Sequence, residues 1–299
     1  QPRFSSSLPA ANPMPSLLRS AAKALPRPRA SVVIPLIACL YVVVIILLPA
    51  LEVVAGAFAK GLTPFIENLQ SEELHSAVLL TLRCTLIAVP ANTIFGLAAA
   101  TAIARRQFPG KALLLSVIDL PFSISPVVVG LMLVLLYSPT NGLLGGIVSS
   151  LGWKIIFSWP GMALATIIVT FPFMAREVIP LLEEEGWDQE EAARTLGATN
   201  WQVFWKVTLP SVRWAVLYGL ILTTARSLGE FGAVAVVSGN IAGQTQTLPL
   251  FVEDAYKQYD TELAYGAALI LGGVGIVSLL LKLFVEQMLG GLRENEPMN

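Results

Sequence analysis

Six apolar runs, near residues 31–58, 76–104, 112–137, 160–182, 211–237 and 264–288, decide which solvent this chain can fold in. Each is long enough to cross a bilayer, whose hydrocarbon core of about 30 Å needs roughly 20 apolar residues. Lipid offers the backbone no hydrogen-bond partner, so runs of this length must be helices. The expected fold is therefore all-α: a polytopic membrane helix bundle of about six transmembrane helices. With 55% hydrophobic and 13% charged residues, the chain lacks the charged surface that would keep a domain of this size in water. Nucleic-acid binding is excluded by the same sparseness, since no basic patch interleaved with aromatics is present.

The segment before the first run, residues 1–30, is rich in Pro, Ser and Ala and ends in Arg19, Lys23, Arg27 and Arg29. It reads as a disordered basic tail. The run at 31–58 is too long and too late for a cleaved signal peptide and reads as the first transmembrane helix. Cys39 and Cys84 both fall in apolar runs and are expected to be small buried hydrophobes without a metal. His75 has no ligand-spaced companion and is expected to be a solvated loop residue.

Positive charge sets the orientation. The tail, the turn RRQFPGK (Arg105, Arg106, Lys111) and the polar island at 183–210, flanked by Arg176 and Arg213, hold most of the Lys and Arg. The loops at 58–75, 138–159 and 238–263 hold only Lys60, Lys154 and Lys257, and the first and last are acidic. By the positive-inside rule the first group is cytoplasmic, together with the short C-terminal tail 289–299, which makes a multi-pass protein of a bacterial-type inner membrane.

These runs are not plain anchors. Pro90, Pro121, Pro126 and Pro172 interrupt them, and SISP at 123–126 is polar and prone to bend; each proline frees backbone groups that need new partners. Arg83, Asp119, Arg226 and Glu230 lie well inside the runs. A charge at such a position costs on the order of 3 kcal/mol, so it must face protein or water and is a functional candidate. Arg226 and Glu230, four apart, are expected to share one helix face as an ion pair. Counting about 1.5 Å per residue puts Arg226 roughly 20 Å from the inner face and Arg83 roughly 10 Å from the outer one. That is a similar depth, suited to holding an anion. Asp119 is expected to cap or pack a helix, with a gate as its functional alternative. Lys282 and Glu286 are expected to pair or to reach for the interface.

The island EEAARTLGATNWQVFWKVTLP at 190–210 is patterned for a different purpose. Helix formers around Glu191, Ala192 and Ala193 follow acidic residues that suit a helix start. Gly197 stands where a left-handed cap would end that helix. Thr199 or Asn200 can cap a second one, whose Trp201, Phe204, Trp205 and Val207 suit the bilayer interface. Pro210 can open the next span. A helix, a glycine corner and a second helix make an elbow that a soluble partner can grip.

The spacing of Glu191-Ala192-Ala193, Gly197, Val207 and Leu209-Pro210 resembles the EAA motif of ABC importer permeases, with Val207 where Ile is more usual. That resemblance implies an ABC type-1 transmembrane domain over 75–288 and a cytoplasmic EAA coupling loop at 183–210, whose coupling helix docks on an ATP-binding subunit. The segments Asp119–Leu133 and Arg226–Asp260 resemble the sulfate and thiosulfate importer permeases. Leu228–Gly232 is shared with the molybdate and tungstate permeases, so they are the alternative. The resemblance also implies a second, CysT-like permease subunit, two copies of the ATP-binding subunit and an extracytoplasmic sulfate-binding protein. ATP and Mg would be used by the ATPase partner, since this chain carries no phosphate-cradling GxxxxGK[ST] loop. No cofactor is expected on the chain itself. Two readings from other classes are an integral-membrane enzyme using Arg226, Glu230 and Asp119, and a scaffold subunit that conducts nothing. The acidic cluster Glu183-Glu184-Glu185 with Asp188 reads as a solvating charge run.

Overall fold

The computed structural model describes residues 30–293, and every regular element among them is helical. The remainder of the expected tails lies outside the described residues. The helices are α1 (Ala30–Val42), α2 (Leu48–Ala57), α3 (Leu62–Leu69), α4 (Glu72–Ala104), α5 (Lys111–Ser123), α6 (Pro126–Tyr137), α7 (Gly145–Ser150) and α8 (Trp159–Glu185). They continue with α9 (Asp188–Thr195), α10 (Asn200–Val203), α11 (Leu209–Ser211), α12 (Arg213–Leu228), α13 (Gly232–Ser238), α14 (Leu248–Lys257) and α15 (Thr261–Arg293).

Contacts divide the chain at residues 52 and 53. In the first unit, α1 runs through a π-helical turn, Val43–Leu47, towards α2. A second π turn, Phe204–Thr208, joins α10 to α11. Each ends just before a proline. Pro49 and Pro210 have no N–H for the carbonyl four residues back and collide with it. In each case that carbonyl, of Ile45 or Lys206, belongs to the widened turn.

The second unit is built on α4, α8 and α12. Ser71 accepts the Leu74 N–H at the start of α4, with Glu72 and Glu73 in its first turn. Lipid is as apolar as leucine, so these helices are held by close fit and polar contacts more than by water exclusion. Their interfaces are accordingly lined with small residues. A Cβ at Gly96 of α4 would come within 2.8 Å of the Met174 side chain, and one at Gly219 of α12 within 3.0 Å of its sulfur. Met174 of α8, fully buried, thus lies in a slot between two bare backbones. One turn towards the start of α4, Asn92 donates to the Thr170 hydroxyl at 2.7 Å and to the Ile167 carbonyl at 3.2 Å, while Ser227 reaches Thr170 at 3.5 Å. This rung puts α4, α8 and α12 in register. Near the start of α4, Leu248 and Phe251 of α14 pack with Leu74, Ala77 and Ala267, and the Leu248 N–H bonds the Thr81 hydroxyl.

Two of the expected spans are not single helices. The run at 112–137 breaks at Ile124–Ser125, and α5 and α6 meet at 110°. The run at 211–237 stops at Leu228 and resumes as α13, because the Glu230 carboxylate takes the Ala233 N–H and so caps a new helix. Among the described residues four helices are long and apolar enough to cross a membrane, or up to six if two bent pairs, α5 with α6 and Asn200–Ser211 with α12 (72°), each count as one span. At the other end α15 continues to Arg293, past the expected limit at 288. Cys84 is buried as expected, but Cys39 is exposed. His75 is exposed on the first turn of α4, not in a loop. Lys282 lies over the Tyr218 ring at 5.3 Å, and the Glu286 side chain is outside the described residues.

Candidate functional site

The island folds as an elbow. Helix α9 carries Asp188, Glu190 and Glu191 in its first turn and Arg194 in its last, matching its dipole at both ends. Gly197 then takes φ +88°, a left-handed conformation that costs a side-chain-bearing residue about 1–2 kcal/mol. Thr199 starts α10 with a reciprocal capping box: its hydroxyl accepts the Gln202 N–H while the Gln202 side chain accepts the Thr199 N–H. Trp201, Phe204 and Trp205 form a cluster with ring centroids 5.5–6.4 Å apart.

One residue fastens this elbow to the bundle, and the sequence reading passed over it. Glu190, with 5% of its side chain exposed, accepts from Arg105 Nε at 2.9 Å and from the Thr208 hydroxyl at 2.8 Å. Its other oxygen faces Arg194 at 3.6 Å. Arg105 also donates to the Leu182 carbonyl at 2.6 Å, one of the orphan acceptors at the end of α8. The end of α4, the end of α8, α9 and the π turn therefore converge on one carboxylate. The available signal was position. On a helical wheel Glu190 lies with Arg194, one turn on, while the adjacent Glu191 points elsewhere.

The motif residues occupy the opposite side. Glu191, Ala192, Gly197 and Pro210 are exposed, with Ala193, Val207 and Leu209 half-buried. Leu196 is 89% exposed. Ala193, Leu196, Gly197, Gln202, Lys206 and Val207 border a concavity of about 440 Å³, and a Cβ at Gly197 would meet nothing within 4 Å. The elbow is fastened to the bundle at Glu190, beside a second cavity of about 770 Å³ that it shares with α4, and its motif face is open.

The intramembrane charges fall into separate places. Arg226 pairs with Glu230 at 2.7 Å, with 32% and 1% of their side chains exposed. The pair is as expected, but its geometry is not: Glu230 lies beyond the end of α12, and its second oxygen caps α13 at Ala233 N. The Arg226 contact is too oblique for a hydrogen bond, which leaves the facing Glu230 oxygen buried without one. Arg83 is exposed and stacks on the Trp159 ring at 4.0 Å. Trp159 begins α8, whereas Ser227, beside Arg226, is level with Thr170 and Asn92. Nine residues of α4 separate Arg83 from Asn92, roughly 14 Å of rise. The expected common depth of the two arginines is therefore corrected: they stand at different levels. Of the two structural roles expected of it, Asp119 takes packing and not capping: it joins α5 to α8 by accepting from Arg176 Nε at 2.8 Å.

Residues 92–290 match the family described as binding-protein-dependent transport system inner membrane component. The sulfate transport system permease protein CysW of Synechococcus elongatus is 65% identical over 254 residues, covering 85% of this chain and 88% of that protein. The sulfate transport system permease protein CysT of Escherichia coli is 38% identical over 245 residues, covering 82% and 87%. Among solved structures, a bacterial ABC transporter involved in the import of the acidic polysaccharide alginate superposes with a TM-score of 0.72 at 19% identity, covering 94% of this chain and all of that one. The last likeness is one of fold.

Proposed function

The chain belongs to the family of binding-protein-dependent transport system inner membrane components, and from that premise we propose that it is the permease subunit of an ATP-driven sulfate importer. Sustained likeness to sulfate transport permeases over most of its length carries this reading. Thiosulfate is the natural second substrate, being another tetrahedral dianion.

In this reading the elbow is the coupling helix. Its open face, around Glu191, Ala192, Ala193, Gly197, Leu209 and Pro210, receives an ATP-binding subunit, which supplies ATP and Mg chemistry. Two such subunits close on a pair of permeases, this chain and a CysT-like partner, and an extracytoplasmic binding protein delivers the anion. The elbow, the RRQFPGK turn and both termini are cytoplasmic, as the distribution of Lys and Arg favours. Glu190 makes the drive mechanical, since a pull on α9 passes through Arg105 to α4 and through Leu182 to α8. Arg83 meets the anion near the outer mouth, and Arg226 meets it deeper, released from Glu230 when α12 and α13 shift.

Uptake of labelled sulfate by the reconstituted complex, with thiosulfate and molybdate as competitors, tests the proposal. ATP-dependent sulfate uptake competed by thiosulfate is expected, and uptake of molybdate alone would overturn it. Arg83→Gln or Arg226→Gln should lower uptake while ATP hydrolysis persists. Full uptake by both variants would remove these residues from the path.

A further inference from the structure

Helices α5 and α8 are joined by two rungs of opposite charge. Lys111 meets Glu183 at 3.2 Å where α5 begins. Eight residues further along α5, roughly 12 Å deeper, Asp119 meets Arg176 at 2.8 Å. The second rung is in the apolar part of both helices, yet 41% of the Asp119 and 54% of the Arg176 side chain is exposed. Charged groups at that depth do not face lipid. The face that carries them must be covered by protein or water in the working assembly.

A second feature points the same way. Directly beyond Asp119, the chain leaves its helix at Ile124–Ser125 and turns by 110° into α6. Ser123 and Ser125 are exposed at this break. Irregular backbone at membrane depth persists only where it is buried in protein or lines a wet cavity, and broken helices near the midplane are where transporters bind their cargo. Ser123 is about 18 Å from the start of α5, close to the middle of a core of about 30 Å. Ser116, Asp119 and Ser123 also share one face of α5.

The guanidinium itself is only partly engaged. Arg176 uses Nε on Asp119 and lies over the Phe122 ring at 4.6 Å. Its two Nη groups have no hydrogen-bond partner among the described residues. A planar fork with free donors, held in place by an aromatic face, suits a tetrahedral oxyanion.

We infer that Arg176, latched to Asp119 beside the exposed break of α5, contacts the transported oxyanion on the inner half of its path, the anion displacing Asp119 from the guanidinium as it passes. This rests on the importer reading and on its cytoplasmic orientation of the elbow. Asp119 keeps the site neutral when empty and competes with the anion, so the site releases its cargo instead of storing it.

Two measurements on the full chain in its reconstituted complex test this, with Cys39 and Cys84 replaced by Ser. Ser123→Cys should react with a charged methanethiosulfonate reagent, and sulfate should slow that reaction. In equilibrium binding of labelled sulfate without the binding protein, Asp119→Asn should tighten binding about tenfold. Arg176→Gln should abolish it, and Arg176→Lys should be intermediate. An unreactive Ser123→Cys would place this face against lipid or dry protein and overturn the inference. Reaction without protection, together with unchanged binding in Asp119→Asn, would leave a wet wall with no anion contact and overturn it equally. Protection by molybdate but not by sulfate would support the site while refuting the sulfate reading.

Discussion

Two arginine–carboxylate pairs of this bundle, one at the elbow and one beside the break of α5, are built on different plans. Around Glu190 each carboxylate oxygen has a cation, a hydroxyl joins in, and both partners are nearly sealed. Around Asp119 a single contact joins two half-exposed side chains, and most of the arginine's donors are unused. The first arrangement has one low-energy state, since opening it strands a buried charge. The second can exchange partners at little cost. Rigidity where force enters the bundle and looseness where cargo would leave it is the division of labour that these geometries favour.

Glu190→Ala breaks the comparison most severely. Removing one member of a buried pair costs about 3–5 kcal/mol, so the assembled complex should be largely lost in detergent, as read by size exclusion and thermal melting. Glu190→Leu with Arg105→Met should recover much of that stability, because two apolar groups leave nothing unpaired. If the double variant recovers stability but not uptake, the clasp transmits force as well as holding the fold. Arg226→Gln comes next. It leaves the Glu230 carboxylate with only the Ala233 N–H, and about 3 kcal/mol of destabilisation is expected. Glu230→Gln in the same background should restore melting by keeping the cap without the charge.

Gly197→Ala should cost only the left-handed backbone strain, about 1–2 kcal/mol. Gly197→Trp should melt at a similar temperature, since a Cβ there meets nothing within 4 Å among the described residues and points into the open concavity. Sulfate uptake should separate them, being reduced a fewfold in Gly197→Ala and abolished in Gly197→Trp with ATP hydrolysis retained. Equal uptake in both would show that nothing docks against the corner. The smallest expected effect on stability is that of Asp119→Asn, because a half-exposed pair contributes about 0–1 kcal/mol. A melting shift as large as that of Glu190→Ala would erase the contrast between the pairs.

Much of this was legible in the sequence, for identifiable reasons. Runs of twenty apolar residues admit little but helices, and the order Glu-Ala-Ala, Gly, Thr, Pro prescribed an elbow through local rules of capping and φ. The partnership of Arg226 and Glu230 followed from proximity along the chain. What stayed hidden was tertiary. Glu190 and Arg105 are 85 residues apart, and Asp119 and Arg176 are 57 apart; no periodicity links either pair. The helix break at Glu230 was hidden for a related reason. A carboxylate can serve a helix face or a helix start, and the choice was settled by the chain around Gly229 folding away from α12.

Met174 has a consequence for motion. Its unbranched thioether lies between Gly96 and Gly219, where each neighbouring helix presents bare backbone to it. Rows of interlocked leucines would have to climb over one another before α8 could advance. A smooth tongue in a smooth slot instead lets α8 slide or roll by fractions of a turn with little change in contact. The centre of the bundle is therefore a plain bearing, and the polar rung one turn along it is the stop that limits its travel.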